Sequence, residues 1–322
     1  MTHSGHESKL KIILAFAAVY IVWGSTYLAI LFAIKDIPPL LLSGIRFLTA
    51  GIILFSWQTY RGEQKPDLSS LRKNAIWGTL MLVGGTVSVA WAEQYIPSSV
   101  AAIVVTAVPF WFVLLDKRNW SFYFSNKIII VGLITGFAGM FLLMGFNNST
   151  SSHIQNAGKQ WLGIMVILIG DIAWTIGSLV LKYQPTKNSI LMNASVQLIA
   201  AGLFCLMISI VTGESKNFSF ANVRMGSWLG FLYLVIMGTF VAYLSYLWLL
   251  KVRPPAQVST YVYVNPVVAL LLGTMIAGEK ISALQLVAMT VIFAGVVFVN
   301  LARYRRSKKM AMNESKLVDQ YQ

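Results

Sequence analysis

Ten apolar stretches, each about the length a helix needs to cross a hydrocarbon core of ~30 Å, fill nearly all of this chain. They cover residues 12–34, 38–60, 74–92, 97–115, 128–146, 161–182, 189–211, 226–250, 256–277 and 282–302. Lipid offers the backbone no water to bond, so a spanning chain is a helical bundle or a closed barrel. The stretches are continuous rather than alternating, which selects the bundle. Hydrophobic residues make up 57% of the 322 and charged residues 11%, too few charges for a soluble surface. The longest connections, 61–73, 147–160 and 212–225, are too short to hold a folded domain. These features predict an all-α membrane protein of ten transmembrane helices whose function lies inside the bundle.

The net charge of +14 is placed as topology requires. With the N-terminus inside, nineteen basic residues fall on the inner side: Lys9, Lys11, Arg61, Lys65, Arg72, Lys73, Lys117, Arg118, Lys127, Lys182, Lys187, Lys251, Arg253, Arg303, Arg305, Arg306, Lys308, Lys309 and Lys316. Five fall outside: Lys35, Lys159, Lys216, Arg224 and Lys280. That bias predicts a multi-pass protein of the cytoplasmic (plasma) membrane with both termini cytoplasmic. The basic tail reads as a topology anchor, with membrane lipid as a partner and nucleic acid excluded. The first stretch follows basic residues, as in a signal peptide, but runs on without a small-residue cleavage site and is read as a span. The single cysteine, Cys205, lies in an apolar run, so no disulfide framework exists.

The chain repeats itself. At an offset of 151, Trp23 falls on Trp174, Tyr20 on Asp171, and residues 46–51 (RFLTAG) on 197–202 (QLIAAG). At 157, Pro97 falls on Pro254 and Pro109 on Pro266. Each half carries an odd number of spans, so the second half enters the membrane from the opposite side. The expected architecture is two inverted five-helix repeats, 12–146 and 161–302. They are flanked by a cytoplasmic N-terminus (1–11), an external linker (147–160) and a basic cytoplasmic tail (303–322). Inverted repeats of this kind recur in secondary transporters, with the site between the halves.

Charges within spans are the sharpest functional signals, because each is costly unless paired or hydrated. Asp171 lies near the midplane of the sixth span and shares a helix face with Trp174 and Ser178. It reads as a cavity carboxylate for a cation or proton, or as the partner of Arg46 in a structural ion pair. Arg46, well inside the second span, reads as a substrate clamp, a gate partner of Asp171, or a structural arginine; its repeat mate is Gln197. Pro109 and Pro266 mark helix breaks in spans four and nine and free the carbonyls of Val105 and Val262. Gln257, Tyr261 and Asn265 recur at i, i+4 and i+8 and extend the polar strip. Trp23, Tyr27, Trp91, Trp174 and Tyr243 are candidates for an aromatic wall, with packing or interfacial roles as the alternative. Glu93 and Glu279 read as solvated charges at span ends, and Gly132-x-x-x-Gly136 as a close-packing element.

No phosphate-binding G-x-x-x-x-G-K-[ST] motif occurs. His3, His6 and His153 lie outside the spans, so no metal cluster or Ser/His or Cys/His catalytic pair forms in the membrane. The reading is therefore of a protein that is not an enzyme, with no catalytic residues, no metal and no cofactor.

Four segments also carry a resemblance: 23–30 (WGSTYLAI), 38–51 (PPLLLSGIRFLTAG), 92–105 (AEQYIPSSVAAIVV) and 261–274 (YVYVNPVVALLLGT), the last followed by Gly278-Glu279. Over residues 10–302 the chain resembles the drug/metabolite transporter superfamily and, within it, the ten-span EamA-domain permeases of YedA-like type. The resemblance implies a permease, usually an exporter of small metabolites, amino acids or drugs. The Gly-Glu element stands only in the second half; the first has Asp116-Lys117-Arg118 instead. The expected function is a secondary transporter that exports a small-molecule substrate by alternating access. The alternatives are an integral-membrane enzyme acting on a lipid-linked substrate and a passive channel. A zwitterion such as an amino acid would suit Asp171 on its amine and Arg46 on its carboxylate. Substrate, direction, coupling ion and homo-oligomerisation stay open at this point.

Overall fold

The computed structural model describes residues 9–145, 157–253, 255–277, 283–284, 286–295, 297–298 and 301. Helix dominates, and no strand occurs among the described residues. The principal helices are α1 (Lys9–Ala33), α2 (Pro39–Tyr60), α3 (Leu68–Ala92), α4 (Val100–Leu115), α5 (Lys127–Gly145), α6 (Gly158–Tyr183), α7 (Ile190–Val211), α8 (Met225–Val252), α9 (Tyr261–Ala277) and α10 (Leu286–Gly295). Among the described residues, six of them, α1–α3 and α6–α8, are long and apolar enough to cross a membrane, by length and composition. The remaining apolar stretches are shorter. Gly278-Glu279, Pro254, residues 147–156 and the basic tail lie outside the described residues.

Proline disturbs α4 locally without ending it. Pro109 has no N–H to give to Val105 O, and the turn before it tightens to a 3₁₀ segment, Val105–Ala107. The freed Val105 carbonyl accepts instead from Val108 N–H. Ahead of α9, the short helix Pro255–Val258 is separated from Tyr261 by a turn at Ser259 and Thr260. Pro266 then sits inside α9.

Chain contacts define two compact units, Met1–Val108 with Ser151–Lys280, and Pro109–Thr150 with Ile281–Gln322. In the first, α7 packs along α2 and α3, α6 along α3, α8 against α1, and α9 against α1. Small residues let these backbones approach. A Cβ on Gly51 would stand 2.8 Å from Ile199 N, and one on Gly202 2.7 Å from Leu48 N. The opposite faces of α2 and α7 expose Ile52, Ile53, Trp57, Leu203, Phe204 and Met207, the apolar surface that lipid requires. Helix ends are set by local chemistry: Pro39 opens α2, Asp67 caps Ser70 N–H (2.9 Å) before α3, and Ser189 caps Met192 N–H (3.1 Å) at α7. Between α1 and α2, Asp36 takes a forked ion pair from Arg224 (2.7 Å) and a bond from Ser227 (2.7 Å) at the start of α8. The Arg224 and Ser227 donors hold its carboxyl well below the usual range.

In the second unit Val113, Tyr123 and Ile129 form a small core, and Tyr123 donates to Asp116 at 3.0 Å. A Cβ on Gly295 of α10 would meet Gly132 O and Gly136 N at 2.5 Å. The Gly132-x-x-x-Gly136 element is thus a site of close backbone approach.

Candidate functional site

Three helices of the first unit lose their regular register in mid-course. Residues Ala18–Val22 of α1, Val83–Val87 of α3 and Leu234–Tyr243 of α8 are π-helical. Each widened turn changes where carbonyls point, and side chains collect them. Trp23 Nε1 donates to Gly238 O at 3.2 Å. The Asn265 amide, oriented to match its neighbours, donates to Tyr20 O (2.9 Å) and Tyr261 O (3.0 Å). Ser88 donates to Gly84 O. The three disturbed segments adjoin one cavity.

That cavity has a free volume of about 60 Å³, room for a few water molecules in this conformation. Trp23, Thr26, Tyr27 and Ile30 present one face of α1 to it, and Asp171 and Trp174 one face of α6. Arg46, Thr86, Tyr261 and Asn265 complete its polar lining. Gly85 leaves room for the Trp174 indole, which a Cβ there would strike. Trp23, Trp174, Tyr246 and Tyr261 form an aromatic cluster against it, with Trp23–Trp174 at 5.5 Å and Trp174–Tyr246 at 4.9 Å between ring centroids. Ser178 bonds the Tyr246 hydroxyl at 2.7 Å from outside the cluster.

The two intramembrane charges reach this cavity separately. Asp171 is 2% exposed, and its Oδ2 has no hydrogen-bond partner. Arg46 Nε donates to Thr239 Oγ1 at 3.0 Å, and its guanidinium lies 5.1 Å from the Phe47 ring centre. Gly238 makes the space: a Cβ there would stand 3.2 Å from Arg46 Nη2. Arg46 and Asp171 form no ion pair, so the structural-pair reading of the sequence is corrected. The π-segment of α8 supplies Arg46 with a neutral partner instead.

Six expected site residues, Asp171, Arg46, Trp23, Trp174, Asn265 and Tyr261, therefore line one cavity. Gln197 does not. It donates to Asn74 (2.7 Å), accepts from Tyr243 (2.5 Å), and borders a second polar cavity of about 280 Å³ with Asn74, Asn193 and Lys182. Gln257 is exposed on the short helix before α9 and lines neither, because the turn at 259–260 breaks its i, i+4 register with Tyr261. Pro109 and Pro266 are both buried. Glu93 is also buried, 4% exposed, rather than solvated. Neither charge nor helix-breaking chemistry marks Thr86 or Thr239 in the sequence; Tyr246 is marked only by the repeat, standing 151 residues after Tyr95.

Helices with lipid-compatible faces around a polar and aromatic cavity define a polytopic helical membrane protein. The EamA-like transporter family matches the chain twice, over residues 10–145 and 161–301, and the chain belongs to that family. It is 37% identical over 291 residues to the inner membrane transporter YedA of Escherichia coli (strain K12), covering 90% of each chain. It is 26% identical over 296 residues to Protein PecM of Dickeya dadantii (strain 3937), covering 90% of this chain and 92% of that one. A solved crystal structure shares the fold with a TM-score of 0.64 at 20% identity, over 91% of this chain and 99% of the other. The protein is a multi-pass component of the cytoplasmic membrane.

Proposed function

We propose that the protein is a secondary transporter that binds a small zwitterionic metabolite in the cavity between Arg46 and Asp171 and exports it by alternating access. The observation that carries this is the Asp171 carboxylate: buried, unpartnered and facing a cavity. A carboxylate at that depth takes a proton or a cationic group from the cavity, because the protein offers it none. Arg46 gives the opposite charge on the same cavity, and the aromatic cluster suits an ammonium group or an apolar side chain.

The reading includes ten spans arranged as inverted repeats, 12–146 and 161–302, with an external linker and cytoplasmic termini. Several features support it. The family matches twice. The Gly51–Ile199 and Gly202–Leu48 approaches are reciprocal at the 151 offset. The π-segments of α3 and α8 begin at Val83 and Leu234, again 151 apart. The α8–α1 and α3–α6 pairings exchange when the halves are exchanged. In this orientation α1 and α6 place Ile30 and Asp171 outward of Trp23 and Trp174. The aromatic cluster then closes the cavity toward the cytoplasm.

The test is flux in proteoliposomes across amino acids, nucleobases and cationic dyes, with and without a pH gradient. Asp171→Asn keeps the size and removes the charge. It is expected to insert and melt like the parent and to lose flux, or its pH dependence, by at least tenfold. A stable Asp171→Asn protein with unchanged flux and pH profile would falsify the assignment.

A further inference from the structure

Two loops at opposite ends of the α2–α7 pair have the same construction. Gly62 (φ 78°) and Gly213 (φ 72°) follow α2 and α7 in the left-handed region, 151 residues apart. At α2, Gly62 N–H bonds Thr59 O and Glu63 N–H bonds Gln58 O, both at 3.0 Å. At α7, Gly213 N–H bonds Ile210 O and Glu214 N–H bonds Ser209 O, both at 3.1 Å. These are matching Schellman ends, and each delivers a glutamate. Glu63 accepts from Ser189 N (2.8 Å) and Ser189 Oγ (2.6 Å) at the start of α7, and from Gln58. Glu214 accepts from Leu40 N (3.2 Å) at the start of α2 and from Ser209 (3.2 Å). Each helix thus ends in a carboxylate that caps the first turn of the other, where the helix dipole favours negative charge.

We propose that α2 and α7 form a fixed keel, clamped at both ends by Glu63 and Glu214 and in the middle by Gly51 and Gly202, and that alternation moves the other helices around it. Mouth-closing gates of an alternating transporter open in turn, one at a time. Here both clamps are closed in one conformation. The central crossing admits no sliding, because backbone already meets backbone at Gly51 and Gly202. By contrast, the π-segments, the turns easiest to re-register, lie in α1, α3 and α8 and in neither keel helix. Glu63 and Glu214 are positioning residues; neither lines the cavity.

The inference rests on the transport reading, and the test separates the two. In a Cys205→Ala background, Gln64→Cys and Asn188→Cys are joined by a short bis-maleimide, each thiol adding across one maleimide double bond; the Asn188 amide donates to Gln64 O at 2.9 Å, so the pair is adjacent and the clamp stays intact. Ser25→Cys and Tyr233→Cys, whose native hydroxyls are 2.6 Å apart, join α1 to α8 as the contrast. Flux of the 64–188 linked protein is expected within twofold of its unlinked form, with the 25–233 link lowering flux at least tenfold. Loss of flux on linking 64 to 188 overturns the keel. Spin labels at exposed positions 61 and 187 give a readout that needs no substrate: one narrow distance at every pH supports the keel, and two populations overturn it. An unlinked parent with no flux for any substrate counts against transport, while the label distances still decide the keel.

Discussion

Alanine at Gly202 perturbs the α2–α7 crossing at its tightest point. The new Cβ would stand 2.7 Å from Leu48 N and 3.0 Å from Gly44 O. Ordinary contact begins near 3.4 Å, so the helices must part by about 0.7 Å there. Overpacking typically costs about 1–3 kcal/mol, and backbone neighbours cannot rotate aside, which places this site at about 2–3. Alanine in a helix interior returns about 1 kcal/mol. The net loss is about 1–2 kcal/mol, a fall in melting temperature of roughly 2–8 °C. Gly51→Ala, facing Ile199 N at 2.8 Å, is expected to match it. Gly226→Ala, with nothing within 4 Å, is the control and should not fall. Melting followed by tryptophan fluorescence in detergent reads all three. If Gly202→Ala melts at or above the parent while the control is unchanged, the close crossing is refuted.

Thr239→Val removes the only side-chain oxygen that accepts from Arg46 among the described residues. Arg46 then loses the partner that holds its guanidinium in place, so half-saturation should shift with insertion unchanged; equal half-saturation in parent and variant counts against Arg46 as a substrate contact. Asp36→Asn loses the clasp to Arg224. Because the folded-state pKa of Asp36 is depressed, its stabilisation is full above the unfolded carboxylate value of ~4 and is lost as pH falls below it. Melting of parent and variant should therefore differ by a constant amount from pH 8 to 5 and converge in acid; a gap that persists in acid assigns the effect to something other than this charge.

The hydrophobic pattern alone was enough to place α1–α3 and α6–α8, because length and apolarity are what lipid selects. Six cavity residues were also legible, since intramembrane charges and prolines are rare enough to stand out. Other features left no such mark. An i→i+5 turn has no composition of its own, so the π-segments that bring Thr239 to Arg46 and Gly238 O to Trp23 could not be read. Gln257 kept helical spacing with Tyr261 on paper, but a two-residue turn intervenes. The Gly62-Glu63 and Gly213-Glu214 pair did carry a signal, the same dipeptide at the same offset. Its place between the spans sets it outside the hydropathic pattern that marks the repeat.

The reciprocal caps also impose a timetable on synthesis. Glu63 is already made when Ser189 leaves the ribosome, so the start of α7 is finished on arrival. The start of α2 is not: Leu40 N–H waits for Glu214, made 174 residues later. At about 5–20 residues per second, that is roughly 10–30 s with the first turn of α2 lacking its carboxylate. Throughout that interval the nascent first half is an unfinished object, with one helix start open to water or to any quality-control factor that reads exposed amides. It closes only when about two-thirds of the chain has been made.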